Sequence, residues 1–237
     1  MWRAEIDGRK LSFHLTGINN QNFLMQDEQT GSWWQQVTGE AVFGPLAGRR
    51  LNLVFHDEIS FGLWRKEHPG GRVLRPDDSA PWRELSKDWE AETAKLPVVT
   101  PSAPGDPLAP RELIAGVRVR GAAKAYPLTL LRRQSPVLDT LAEVPLLLVV
   151  GDDGKSVRVF ERSVDGRALQ LFARPGGPPL RLVDAETGSE WTFAGEAVSG
   201  PLTGKKMARV FVLLDYWFDW KAYHTETVIY RAGGSNG

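Results

Sequence analysis

The chain has 237 residues, its 29 Lys+Arg exactly offset by 29 Asp+Glu, and no cysteine. A chain of this length makes one large or two small domains and needs no covalent staple. Zero net charge gives no global field for steering onto nucleic acid or anionic lipid; the lack of thiols excludes disulfides, thiolate metal sites and cysteine nucleophiles.

In chain order, Met1 to Glu5 lack the apolar stretch of a signal peptide. Asp7-Gly8 reads as a turn. Asp27, Thr30 and Gly31 read as the turn of a hairpin that continues through Trp33 and Trp34. Gly44-Pro45-Leu46-x-Gly48 is a further turn, and Phe61 and Trp64 mark a short helix. Trp82, Leu85 and Trp89 recur at helical spacing, with Ser79 as N-cap before Pro81. Pro97, Pro101, Pro104, Pro107 and Pro110 then break regular structure, which places a boundary near residue 100. Residues 114–119 and 123–126 make a strand pair, and Pro127 opens a helix over 128–132. Residues 144–150 are the strongest apolar run, far short of the ~20 residues that a spanning helix needs.

Beyond that run, residues 156–160 alternate and lead through Asp165-Gly166 into 168–172, a hairpin signal. Residues 180–183 and 190–193 form a second hairpin, with Gly188 at positive φ. Gly200 to Gly204 repeats the Gly-Pro-Leu-x-Gly turn. A strand over 209–213, a helix over 216–223 and a strand over 228–230 follow, and 233–237 form a flexible tail. The fold class is mainly β, a duplicated hairpin, strand and short-helix unit of barrel- or sandwich-like form.

The duplication is carried by identity. Eight residues coincide between Gly39–Gly48 and Gly195–Gly204, and Trp64 and Trp220, like His68 and His224, are 156 positions apart (224 − 68). Such self-similarity decides architecture before any local reading. The division is a first copy over 1–76, a connecting helix and Pro-rich linker over 77–111, and a fuller copy over 112–237. Nothing in the first copy corresponds to 113–159, so it is expected to be truncated and completed by strands of the second copy or of another subunit.

At Gly-Glu-Ala-Val-x-Gly-Pro-Leu-x-Gly and the Trp and His that follow, the chain resembles a bacterial family designated domain of unknown function 3179. Its pattern runs through an Ala-Tyr-Pro-Leu turn, a helical His, an Asn-Asp and a Cys-Pro-Leu-Cys. Asp-x-x-Thr-x-Ser-x-Trp-x-Gln, the Gly-Pro-Leu turn and Trp…His-Pro come after. The resemblance covers 1–76 and about 112–231. Ala125-Tyr126-Pro127-Leu128 keeps the first motif, but Gln134 stands for the His, Asp139 alone remains of the Asn-Asp, and Gly151-Asp152-Asp153-Gly154 occupies the Cys-Pro-Leu-Cys position. If those His and Cys residues are the family's reactive centre, this chain has lost it. Asp27, Thr30, Ser32, Trp34, Gln36, Trp64 and His68-Pro69 keep the later pattern in the first copy; Phe193 replaces the Gln in the second.

Candidate residues divide between structural and chemical readings. His68 and His224 are ligand contacts or general bases, or else satisfy helix C-termini. Asp27 and Asp184 read as turn residues, and Glu40 and Glu196 as carboxylates paired with a nearby Arg or Lys. Trp33 and Trp217 are the tryptophans expected to face outward and stack on a ligand; Trp64 and Trp220 are expected core anchors. Four dispersed histidines without cysteine predict no metal, and no phosphate loop or nucleophile elbow is present, so no cofactor is expected.

Three functions fit. The first is a non-catalytic binding or assembly module with a degenerate ancestral site. The second is a carbohydrate or small-ligand binder using Trp33 and Trp217. The third is an enzyme around His68, Asp27, Gln36 and Glu40. The first is the reading adopted, with a small ligand or protein partner, neither nucleic acid nor membrane, homodimerisation as an alternative route to completing the first copy, and a cytoplasmic location by default.

Overall fold

The longest apolar run becomes the most protected strand. In the computed structural model, which describes residues 1–19, 22–74, 88, 91–92, 94–98 and 105–232, Val144–Val150 pairs antiparallel with Val137–Leu141 and with Val157–Glu161, and the latter pairs with Ala208–Val210. Leu146 and Leu148 enter one core cluster and Leu147 and Val149 another. A strand buried on both faces has no reason to alternate, hence its unbroken apolarity.

The first cluster lies between this sheet and a second one, ordered Val212–Tyr216, Leu113–Val119, Ala122–Pro127 and Val228–Ile229, the last strand parallel to its neighbour. The helix Leu128–Gln134 closes the cluster with Leu128 and Leu131. The second cluster centres on Trp191 and a third sheet, an antiparallel meander of Leu171–Ala173, Arg181–Asp184, Glu190–Thr192 and Ala197–Ser199. The fourth sheet, Phe13–Asn19, Asn22–Asp27, Trp33–Gln35 and Ala41–Phe43, has the same meander order and its own cluster around Trp34. The protein is mainly β, and its sheets are largely antiparallel.

The third and fourth sheets share one hydrogen-bond set. Asp27 Oδ1 accepts from the Thr30 N–H (2.6 Å) and its Oδ2 from Trp34 Nε1 (2.8 Å). Asp184 does the same with the Thr187 N–H (2.6 Å) and Trp191 Nε1 (2.8 Å). Ser32 Oγ and Ser189 Oγ each accept from a Leu N–H, of Leu46 and Leu202, both at 3.0 Å. Gly44 and Gly200 have positive φ, and a Cβ at either would lie 2.7 Å from the Cα of that serine, so both the turn and the close approach require glycine. Asp27 and Asp184 are thus structural: each buried carboxylate gathers donors that tie a turn to a core Trp.

Several expectations are corrected. The strand over 209–213 is two strands, Ala208–Val210 in one sheet and Val212–Tyr216 in another, so the chain changes sheet at Phe211. The hairpin at Asp165-Gly166 is only Ser163–Val164 with Arg167–Ala168, because Val157–Glu161 is already paired on both sides. The N-terminal segment follows the C-terminal path through its first hairpin, Glu5–Ile6 with Arg9–Lys10, its meander and its helix, Phe61–Glu67, but a lone Trp2–Leu53 bridge stands where Val157–Glu161 meets Ala208–Val210, and no strand follows the helix among described residues. The expected helix around Trp82, Leu85 and Trp89 lies outside the described residues.

Trp64 is half-buried rather than a core anchor, stacked at 5.8 Å on an exposed Phe61. Trp220, its counterpart in the helix Trp217–Tyr223, is buried against Gly116. A Cβ at Gly116 would fall 2.3 Å from the Trp220 ring. Gly116→Ala is therefore expected to destabilise by about 1–3 kcal/mol or more through overpacking, and an unchanged urea midpoint would show that the ring can move aside. Trp217 does not face outward either. Its Nε1 donates to Asp106 Oδ1 (2.8 Å), Lys221 pairs with the same Asp106, and Leu108 packs beside it, so the segment leading to Leu113 covers the ring.

No described strand of the N-terminal segment pairs with one from the C-terminal segment, so completion by borrowed strands does not occur there. The junction is made by helices instead. Glu67, at the end of the N-terminal helix, bonds Arg158 of the C-terminal segment, and Leu63 packs on the Trp191 cluster. Reciprocally, Asp219 and Tyr223 of the last helix accept from Asn22 and from Gln35 (2.6 Å).

Candidate functional site

This reciprocal exchange of helices creates two clefts. A larger one, of about 1270 Å³, lies between the N-terminal helix and the third sheet. A smaller one, of about 560 Å³, lies between the last helix and the fourth sheet. At an offset of 156 or 157 residues their walls correspond. His68, Phe193, Met207 and Arg209 line the first where His224, Gln36, Leu51 and Leu53 line the second. The chemistry of the two differs.

The larger cleft is a charged network. Arg158, only 3% exposed at its side chain, is held by Asp57 Oδ2 (2.8 Å) and by both oxygens of Glu67 (2.6 and 2.7 Å), while Arg209 takes Asp57 from the other side (2.5 Å). Phe193 lies under the Arg158 guanidinium at 4.7 Å. Burial would raise the Asp57 pKa, but hydrogen bonds from Arg158 and Arg209 hold it below the usual value. Asp153, in the stretch aligned with Cys-Pro-Leu-Cys, works against the same burial penalty: bonds from the side chains of Ser156 and Ser60 and from the Ser156 and Lys155 N–H groups bring it to about 2. All of these interactions are internal, and those made by Asp57, Ser60 and Glu67 bind the segments together.

The smaller cleft is mostly apolar, walled by Trp2, Phe13, Met25, Leu51, Leu53, Phe211, Leu213 and Trp220, with polar groups converging from several elements. Asn22 comes from the fourth sheet, Glu58 and His56 from the segment before the N-terminal helix, Arg118 and Asp215 from neighbouring strands, and His224 from the end of the last helix. Asp219 stands close enough to raise the Asp215 pKa by its charge. Asp215 Oδ2 and Asp219 Oδ1 have no hydrogen-bond partner among the described residues. Two neighbouring carboxylates repel, which favours a proton on one of them. Burial, then the charge of Asp219, pushes Asp215 up to about 8; burial pushes Asp219 up to about 6 against the opposing bond from Asn22. His224 is driven down to about 4 by burial and by Arg118, so it is neutral near pH 7. A mainly apolar pocket with a few convergent polar groups and displaced pKa values is the usual form of a ligand site.

The Asp215 shift carries a stability consequence. Its folded pKa is raised above the unfolded ~3.9, so the folded state keeps a proton that the unfolded state has lost. Stability therefore falls as pH rises across that window and stops falling above the folded value. Asp215→Asn removes this penalty. Its gain over the wild type should be absent near pH ~4 and exceed ~1 kcal/mol above pH ~8. Equal gains in urea melts at the two ends would refute the protonated pair.

The residues expected from sequence to form an active site do not converge. His68 lines the larger cleft and Gln36 the smaller, while Asp27 and Glu40 line neither. Glu40 pairs with Arg50 (2.8 Å), as Glu196 pairs with Lys206 (2.5 Å). Both histidines cap their helices through backbone N–H groups, to Trp64 O and Trp220 O, with their rings against those tryptophans. Trp33 does face solvent, 37% exposed, and packs on Phe43. Around Gln134 and Asp139, Tyr126 donates to Asp139 (2.8 Å), Lys124 pairs with Asp139 (2.7 Å) with both side chains 6% exposed, and Tyr230 donates to Gln134 (3.0 Å). Burial and Asp139 push the Tyr126 hydroxyl well above its usual value. The cluster is a closed network. Asp215 and Asp219 were signalled only by their four-residue spacing across a helix start, and nothing local indicated that either would be buried.

The family model described as a protein of unknown function, DUF3179, matches residues 1–227. No curated protein and no solved structure matches the chain.

Proposed function

The chain belongs to the DUF3179 family of proteins of unknown function, and from that premise we propose that it is a non-catalytic binding module whose ligand is a small, mainly apolar molecule held in the 560 Å³ cleft. The observation that carries this reading is the contrast between the two clefts. One is bordered by ion pairs that join the segments. The other has mainly apolar walls, and Asp215 Oδ2 at its edge has no hydrogen-bond partner among the described residues. We read the two meanders and their helices as duplicated units, over 1–76 and 112–237, in which one cleft became a structural junction and the other stayed open. The closed Tyr126–Asp139–Lys124 network supports a degenerate ancestral site.

Screening aromatic fragments by NMR tests the reading. The indole N–H signals of Trp2 and Trp220, which bond Gln36 O (2.6 Å) and Thr227 Oγ1 (2.9 Å), should shift first. Shifts confined to Trp33 would favour the second reading instead, a surface binder of sugars or other flat ligands on the exposed Trp33–Phe43 pair. The absence of any shift would sink both.

A further inference from the structure

The helices Phe61–Glu67 and Trp217–Tyr223 are built alike but covered differently. They lie 156 residues apart, and each is followed by a histidine whose carbonyl accepts from the third residue beyond, Gly71 N–H (2.9 Å) and Thr227 N–H (3.0 Å). Trp217 and Trp220 are buried in one cluster with Ile114 and Ala125, from the paired strands Leu113–Val119 and Ala122–Pro127. At the same offset, Phe61 is 59% exposed and Trp64 is half-buried. The covering hairpin is the centre of a sheet whose outer strands are Val212–Tyr216 and Val228–Ile229. Their counterparts by offset, 56–60 and 72–73, form no strand, and residues 56–59 and 72–73 make no backbone–backbone hydrogen bond among the described residues. Val73 stands where Ile229 packs on the cluster, and it is 60% exposed. The N-terminal helix thus has the two flanks of such a sheet beside it and no described hairpin between them.

We propose that Phe61, Trp64 and the segments 56–60 and 72–73 form a docking surface for two antiparallel strands of a partner protein. The last helix shows what such strands must carry. A small residue belongs under the tryptophan, because a Cβ at Gly116 would collide with the Trp220 ring. An acidic residue belongs ahead of the first strand. Asp106 accepts from Trp217 Nε1 there and pairs with Lys221. Arg65 occupies the place of Lys221, is exposed, and has no acidic partner among the described residues. The backbone groups of 56–59 and 72–73 supply the rest, since strand addition draws its affinity from main-chain hydrogen bonds and its specificity from side-chain pockets. A second copy of the chain does not fit as the occupant. Its described residues include one hairpin of this kind, which already lies beneath its own Trp220.

A synthetic peptide with the chain's own residues 105–127, which carries Asp106 and Gly116, is the probe, titrated into the full chain. Hydrogen exchange read by mass spectrometry locates it. In the free protein, 56–60 and 72–73 should exchange at least about tenfold faster than 212–216 and 228–229. Saturating peptide should slow 56–60 and 72–73 alone. A Gly116→Val peptide should bind at least about tenfold more weakly through overpacking against the ring, and Arg65→Glu in the protein should weaken binding by a smaller, salt-sensitive factor. Slow exchange at 56–60 and 72–73 in the free monomer would mean that the chain closes this face itself, and would overturn the proposal. Slow exchange there in a dimer would assign the face to a second copy and overturn it too. So would failure of the peptide to bind, protection of 212–216 in place of 56–60, or equal binding by the Gly116→Val peptide.

Discussion

Replacing Trp191 by Ala is expected to lower stability by about 3–5 kcal/mol, as for other large aromatic truncations in a core. The ring is fully buried at the centre of the cluster formed by Leu147, Leu171 and Leu182, and its Nε1 donates to a carboxylate that is itself 1% exposed. Two losses combine. One is the cavity left by the ring; the other is the donor withdrawn from Asp184. Trp191→Phe separates them, because it keeps most of the apolar volume and removes only the hydrogen bond, for an expected cost of about 1–3 kcal/mol. Trp34→Ala should behave alike in the fourth sheet, whereas Trp64→Ala should cost less because that ring is half-exposed. Urea titration followed by Trp fluorescence provides the measurement. A loss below ~1 kcal/mol for Trp191→Ala would mean that the core closes over the gap.

The central hairpin of each meander was legible in the sequence because its determinants are local. An Asp, a Thr three residues on, a Ser after the Gly, and a Trp two residues later lie close enough in the chain to complete a turn and anchor it in one step. The burial of Trp64 and Trp220 was not legible, although the two occupy equivalent places. It depends on what the rest of the chain lays beneath them. Gly116 and the strand Leu113–Val119 lie under Trp220, and no counterpart to that strand lies under Trp64 among the described residues. Trp217 misled for the same reason, since its cover is a distant segment ending in Leu113. Arg158 was concealed by a correct rule. In Val-Arg-Val the alternation marks a strand with one polar face, but that face is covered by the helix Phe61–Glu67 and not by water. The candidate site suffered most. Its groups come from sheets, strands and helix ends far apart in the chain, and their titration follows from burial, which spacing does not encode.

Arg158→Met should separate the two segments energetically more than any other single change at their junction, at a cost of about 3 kcal/mol near pH 7. The guanidinium is nearly inaccessible, and it makes four hydrogen bonds to two carboxylates from the other segment. Removing it leaves Asp57 and Glu67 facing each other over a methionine. Each keeps about a fifth of its side-chain surface in water, 21% and 23%, and Arg209 still neutralises Asp57, which places the cost at the lower end for a broken buried pair. The pH dependence has a definite sign. The Asp57 pKa is lowered in the folded protein by its two arginines, so its contribution is present above the unfolded value and lost as pH falls through the folded one. The gap between wild type and Arg158→Met should therefore narrow on acidification below about pH 4. Adding Asp57→Asn and Glu67→Gln to Arg158→Met should recover part of the loss, because uncharged amides need no counter-ion. If the triple variant is no more stable than Arg158→Met alone, the penalty comes from lost packing against Phe193 rather than from stranded charge.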